Sequence, residues 1–476
     1  MTQLDEICYL SAAALGRRYA KGELSPVDVA EQHLARLEAL EPALNAFQLV
    51  DREGALAAAR EAAGRWERGE ARGPLDGVPV TIKDNVDMKG WPTRNGSTTS
   101  KATPVAEDAP VVARLREEGA VFLGKTTTPE FAWKGITDSQ LKGFTRNPWA
   151  LDRSPGGSSG GAAAALAAGI GTLAYGNDGG GSIRIPSAFC GLFGIKPTFG
   201  RVPHHPVEGV FATVSAGGPL ARHVADAALA LQVMARPDRR DWYALPQPPE
   251  DWLAELRPRL RGLRFAYAPN LGEVEPDQDI RACLEQTIAR LREAGATVEE
   301  VGPVIRPLPP VFQDFWMASF AHLLRGVPRE RWDELDPNFR DVAERGLAVS
   351  AEQVVAGEVA RARLHRHFAE LHARHDLLLT PTTPHAAPPV ETLYHSPAYD
   401  RWRDGVAYTL PFNLTGQPAA SIFCGVTGSG LPVGLQIAGP KYGERLILEA
   451  SLGIEALQQE DTPHPRLMAK LEELVG

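Results

Sequence analysis

Residues 154–198 read SPGGSSGGAAAALAAGIGTLAYGNDGGGSIRIPSAFCGLFGIKPT. Two glycine-rich loops, SPGGSSGG at 154–161 and GNDGGGSIRIP at 176–186, flank a run of alanine and glycine. That run, residues 160–176, is too short and too weakly apolar to span a bilayer, so it reads as a buried helix entering a strand. Glycine admits positive φ and close backbone approach, so consecutive amide N–H groups can converge on one anionic point. In the second loop Gly179, Gly180 and Gly181 lead directly into Ser182, which sets a hydroxyl beside those amides. Acyl transfer requires that layout, a nucleophile next to a hole for the oxyanion.

A serine hydroxyl is a poor nucleophile at neutral pH and needs a base. Upstream, VPVTI at 78–82 reads as a short apolar strand with Lys83 at its end. Burial disfavours an ammonium ion and can lower a lysine pKa by roughly 3 to 5 units, so Lys83 is the candidate base. A second strand, AVFLG at 120–124, follows a helix near 110–118. Downstream the alternation continues with a strand at 263–268, a helix at 279–294, and strands near 376–379 and 419–423. Such alternation predicts an α/β sheet.

Residues 1–70 read as helices: Ser25 caps, Pro26 takes the first helical position, and Val29, His33, Leu37 and Leu40 mark one face. Residues 236–252, RPDRRDWYALPQPPEDW, are the best linker candidate, because proline and charge displace apolar periodicity. No repeat of fixed period is present.

Composition narrows the function classes. The 50 basic residues are outnumbered by 59 acidic ones, giving a net charge of −9, which disfavours a nucleic-acid partner. Cys8, Cys190, Cys283 and Cys424 are scattered and never form Cys-x-x-Cys, so they read as buried thiols of a reducing compartment. The start, MTQLDEICYL, is acidic and lacks the features of a signal peptide, making cytoplasmic residence the default and membrane insertion unexpected.

Three segments taken together, VPVTIKDN at 78–85, SPGGSSGG, and GNDGGGSIRIP with CGLFGIKPT behind it, resemble the amidase signature family in type and order. FNLTGQPAASI at 412–422 and LPVGLQIAGP at 431–440 resemble its C-terminal part. The resemblance implies an α/β fold with one large domain over 1–476, its mixed central sheet flanked by helices on both faces. Within it, 1–75 is a helical N-terminal part, 75–210 the signature region, and 211–476 the remainder with substrate-pocket elements.

The resemblance also implies roles. Ser182 is the nucleophile, Ser158 the serine held by a cis peptide bond, and Lys83 the terminal base. The amides of Gly179, Gly180, Gly181 and Ser182 line the oxyanion hole. From the residues themselves, Asp178 and Arg184 bracket Ser182 and read as a mutual pair that holds the loop in shape, with direct recognition of a substrate carboxylate as the alternative, and Ser159 reads as further loop support. Gly179 and Asn177 depart from the residues frequent in relatives, which are threonine at the first position and threonine or serine at the second. The expected reaction is hydrolysis of a small-molecule carboxamide, or of a carbamate or ester, with no metal or cofactor; a homodimer is left open.

Rival readings exist. Gly156–Gly160 fits G-x-S-x-G, an α/β-hydrolase elbow with Ser158 as nucleophile and His385 or His395 as base, but this leaves GGGS and Lys83 unexplained. The ammonia-generating component of a tRNA-dependent amidotransferase resembles the same family. His365, His367, His372 and His375 read as the solvated face of one helix, with metal binding a minor option. Phe312, Trp316, Phe320 and Leu323 recur at helical spacing, as a core stripe or a pocket wall.

Overall fold

The computed structural model describes residues 3–206, 213–245, 251–272, 274–305, 311–391, 405–458 and 465–475. Its strands are β1 (Phe47–Val50), β2 (Pro79–Lys83), β3 (Val121–Thr126), β4 (Asp138–Ser139), β5 (Gly143–Phe144), β6 (Leu173–Asp178) and β7 (Phe193–Lys196), then β8 (Ala216–Ala221), β9 (Arg264–Tyr267), β10 (Thr297–Glu300), β11 (Leu377–Pro381), β12 (Ala419–Val426) and β13 (Pro432–Ala438). Among the described residues, eleven of these form one sheet in the order β1-β3-β2-β6-β8-β7-β12-β13-β11-β9-β10. The β4–β5 ribbon stands apart.

The sheet is mixed: β3, β2 and β6 run parallel, the middle from β6 to β11 is antiparallel, and β11, β9 and β10 are parallel again. Strands β2, β3, β6 and β11 are buried along their whole length, as expected of strands covered by helices on both faces. One large apolar cluster joins β2, β9 and β13 to the helices Val224–Met234 and Gln278–Glu293. A second joins β11 to the helices around Phe320, Phe339 and Phe368. A third packs Leu34, Leu37 and Leu40 against the alanines of the helix Gly160–Ala167.

The N-terminal part is helical as read, with one exception. Ser25 Oγ accepts the Val27 amide at 3.2 Å to cap the helix Pro26–Leu44, which ends at Asn45 in the left-handed region (φ 51°). The chain then enters β1, which pairs antiparallel with β3. Four residues between two helices are too short for a periodic signal, and only the β3 edge makes them a strand.

The 236–252 segment packs against the body of the protein where it is described. Asp241 is buried and accepts the amides of His204 and Tyr243 at 2.8 Å, and Trp252 is buried in the main cluster; residues 246–250 lie outside the described residues. All four cysteines are buried thiols outside any disulfide. Among the described residues no helix is long and apolar enough to cross a membrane, and no group of histidine, cysteine and acidic side chains could hold a metal ion.

Candidate active site

Register brings the first two site residues together. Parallel pairing of β2 with β6 sets Ile82 opposite Tyr175, so Lys83 emerges at the strand end beside Asn177. The carboxyl ends of parallel strands are where open α/β sheets bind ligands. The Lys83 side chain is fully buried, and its Nζ lies 2.7 Å from Ser158 Oγ and 2.7 Å from Asn177 Oδ1. Burial holds its amine well below the usual lysine value, opposed by the Asp178 carboxylate.

Ser158 follows a cis Gly157–Ser158 peptide bond, the arrangement that the family resemblance implied. There is no room for a side chain before it: a Cβ on Gly157 would lie 2.5 Å from the Ile136 carbonyl oxygen. Ser159 precedes the next helix from a buried position, donating its amide to the Ser182 carbonyl at 3.2 Å and its hydroxyl to the Asn177 carbonyl at 3.4 Å. These two bonds dock the first glycine loop on the second.

Ser182 is partly exposed and lines a cavity of about 370 Å³ together with Ser158, Asn177 and Gly179. The direct hydrogen bond of the expected relay is the one between Lys83 and Ser158. Ser182 is held next to that pair by its carbonyl and shares the cavity wall with Ser158.

Asp178 and Arg184 shape the turn between them. Arg184 is fully buried and donates Nε to Asp178 Oδ2 and Nη2 to Asp178 Oδ1, each at 2.9 Å. The same carboxylate accepts the Gly181 amide at 2.7 Å and the Ile183 amide at 3.2 Å. Burial alone would raise the Asp178 carboxyl, but the Arg184 guanidinium overrides it and holds the group far below the usual carboxylate range. The loop therefore stays ionised and closed.

At one residue of the expected oxyanion hole the amide already has a partner within the loop. The Gly181 N–H donates to Asp178 Oδ1 at 2.7 Å. The amides of Gly179, Gly180 and Ser182 make no hydrogen bond to any described residue. Gly181 also supplies a backbone conformation, φ +133°, that side chains rarely adopt.

Several residues that close the site escape sequence reasoning. Arg184 also donates to the Thr409 carbonyl (2.9 Å), Gln436 Oε1 (2.8 Å) and Asn413 Oδ1 (2.6 Å). Thr409 Oγ1 donates to the Gly180 carbonyl at 2.6 Å, and Asn413 Nδ2 donates to the Asp178 carbonyl at 2.7 Å. Asn413 and Gln436 sit in FNLTGQPAASI and LPVGLQIAGP, and for Gln436 a lone amide in an apolar run was the available signal.

The helix Val311–Arg325 divides its stripe between both expected uses. Phe320 packs in the core, while Trp316 and Leu323 line the cavity with Phe131 and Val105. The Phe312 side chain lies outside the described residues. His365 and His367 are solvent-exposed as read, but His375 falls beyond the helix Ala351–His372 and is buried, meeting Glu299 at 2.7 Å. His372 Nε2 lies 3.2 Å from Gln417 Nε2, and burial lowers its pKa to about 4. The elbow reading is not supported, because Ser158 meets Lys83, whereas His385 bonds the Ala386 carbonyl; His395 lies outside the described residues.

Comparison with known proteins agrees with this geometry. The Amidase family model matches residues 28–448. An acylamidase of Rhodococcus erythropolis is 36% identical, covering 94% of this chain and 96% of its own. A glutamyl-tRNA(Gln) amidotransferase component of Chloroflexus aggregans is 35% identical, covering 98% and 99%. Among solved structures, a bacterial aryl acylamidase of the amidase signature enzymes superposes with a TM-score of 0.86 at 27% identity, covering 98% of this chain and 99% of its own. A mixed sheet flanked by helices, a buried lysine on a serine in the first glycine loop, and a family match over nearly the whole length place this chain in the amidase signature family, as an amidase acting on C–N bonds other than peptide bonds.

Proposed function

We propose that the chain hydrolyses small carboxamides through an acyl-enzyme on Ser182. The observation that carries this reading is the solvent-excluded Lys83 amine 2.7 Å from Ser158 Oγ, on the cavity that Ser182 lines. Uncharged Lys83 accepts the Ser158 proton, Ser158 takes the proton of Ser182, and the Ser182 oxygen attacks the carbonyl carbon. The oxyanion forms against the unoccupied amides of Gly179, Gly180 and Ser182, where each donor is typically worth about 2.7 to 4 kcal/mol in the transition state. The relay then reverses: Ser158 protonates the departing nitrogen, and water activated by the same groups releases the acyl product. Asp178, Arg184 and Ser159 hold the two loops in place.

The substrate class is an amide with an apolar or aryl substituent, supported by Phe131, Trp316 and Leu323 in the cavity wall. The chain works as one domain over 1–476, the lysine and serines coming from 75–210 and Trp316 and Leu323 from 211–476. It works in the cytoplasm, and a homodimer is compatible with this reading. A second reading, an ammonia-generating amidotransferase component that works only inside a complex, is favoured by the similarity to the glutamyl-tRNA(Gln) amidotransferase relatives.

Purified protein decides between these readings. Assayed alone on anilides, aliphatic amides, carbamates and esters, the free hydrolase turns over aryl amides, and Ser182→Ala loses at least about 10³-fold in kcat. A fluorophosphonate labels Ser182. Adduct on Ser158, or wild-type rates for Ser182→Ala, refutes the nucleophile assignment, and inertness of the lone protein favours the amidotransferase reading.

A further inference from the structure

Asn177 stands next to Asp178 at the end of β6, and its Oδ1 is 2.7 Å from Lys83 Nζ. An uncharged lysine amine has two N–H donors and one lone pair. An amide oxygen only accepts, so Oδ1 engages one N–H and cannot occupy the lone pair. With that N–H fixed, the lone pair is free to face Ser158 Oγ, 2.7 Å away. Asn177 is only 7% exposed and forms part of the wall of the cavity shared with Ser158 and Ser182. Its Nδ2 makes no hydrogen bond to any described residue and is not among the solvent-excluded unpaired atoms, so it is open to the cavity that Asn177 lines.

We propose that Asn177 has two roles in the amidase reaction: Oδ1 orients the Lys83 lone pair onto Ser158, and Nδ2 donates a hydrogen bond to an acceptor atom of the bound substrate. The first role makes it a positioning residue and the second a substrate contact. As the Ser158 O–H bond breaks, an N–H bond forms on Nζ and the Ser158 oxygen takes the proton of Ser182. The Ser182 oxygen then bonds to the carbonyl carbon, and the C=O electron pair moves onto oxygen. Lys83 ends as an ammonium ion, and its contact to Oδ1 becomes the stronger, charge-assisted kind. The substrates selected carry an oxygen or ring nitrogen acceptor in addition to the scissile carbonyl.

The inference rests on Lys83 as base, so Lys83→Ala is measured alongside three Asn177 variants, with folding checked by circular dichroism. Asn177→Ala lowers kcat about 100-fold through loss of orientation. Asn177→Thr, which restores an acceptor but shortens the reach of the donor, keeps most of that kcat while KM rises about 10-fold. Asn177→Asp sets a carboxylate against the amine, keeps Lys83 protonated, and moves the acid limb of the kcat profile upward by about 1 pH unit or more. If the aspartate variant does not fold, the threonine variant carries the test. Equal kcat losses in the alanine and threonine variants overturn the orienting role, as does an unmoved acid limb in the aspartate variant. An unchanged KM in the threonine variant overturns the substrate contact. Activity surviving Lys83→Ala refutes the base assignment itself, a separate result.

Discussion

Arg184 and Asp178 form a two-point ion pair, both contacts at 2.9 Å, with neither side chain reachable by solvent. Arg184→Met leaves a buried carboxylate without its cation, which costs about 3–5 kcal/mol. Urea denaturation reads that loss, and activity disappears with it. Arg184→Lys does not rescue, because one ammonium group cannot also reach Thr409, Gln436 and Asn413. A lysine variant with wild-type stability contradicts this account of the loop.

With Lys83 as the proposed base, the acid limb of the activity profile is expected to report its protonation. Asp178 stays ionised far into acid, whereas Lys83 must be uncharged to accept a proton. Activity therefore falls as acidification charges the amine, and a rate flat from about pH 5 to 9 is incompatible with a lysine base.

The same lysine costs stability. Its folded pKa is depressed, so the unfolded chain binds more protons and stability rises with pH between the folded value and about 10.4, the unperturbed one. Lys83→Met is inactive but melts higher than wild type, by a margin larger at about pH 6 than at about pH 9.5. A margin that grows with pH reverses the sign of the argument.

Two neighbouring glycines respond differently to a methyl group. On Gly179 a Cβ meets nothing closer than Trp316 at 3.6 Å, so Gly179→Ala stays within about 0.5 kcal/mol of wild type in stability. On Gly181 it lies 2.6 Å from Ile185 Cδ1 and also strikes Thr409 Oγ1, at a φ of +133°. Gly181→Ala costs about 1–3 kcal/mol in backbone strain and lowers kcat about 100-fold by displacing Ser182. Thermal melts and initial rates measure both variants.

Trp316 covers the oxyanion turn: a Cβ on Gly180 would lie 3.2 Å from its Cζ2. Trp316→Ala raises KM for an anilide about 10-fold or more and changes KM for a small aliphatic amide less. Equal changes for the two substrates remove Trp316 from the aryl-binding wall.

The contact of Lys83 with Ser158, on a cavity that Ser182 also lines, was legible because each residue lies in a short motif whose glycines and strand-end position carry local meaning. The pairing of Asp178 with Arg184 was legible for the same reason, being six residues apart on one turn. Asn413, Thr409 and Gln436 were not, since only tertiary folding carries them across more than two hundred residues to Arg184. The cis bond before Ser158 came with the family resemblance, because nothing in the chemistry of GGSS demands it. Strand β1 and the buried His375 depended on partners distant in sequence, β3 and Glu299. The bond from the Gly181 amide to Asp178 was not legible either, as four consecutive N–H groups look alike in sequence.

The order of strands in the sheet bears on how the protein is made. Strands β12 and β13 belong to the last part of the sequence, yet they lie between β7 and β11. A nascent chain that stops short of residue 419 thus holds two half-sheets with raw, hydrogen-bond-hungry borders and no keystone. Until the tail threads in, those borders invite aggregation and chaperone capture, and Arg184 has no Gln436 to receive it. Assembly of the amidase therefore waits on the synthesis of residues 419–438.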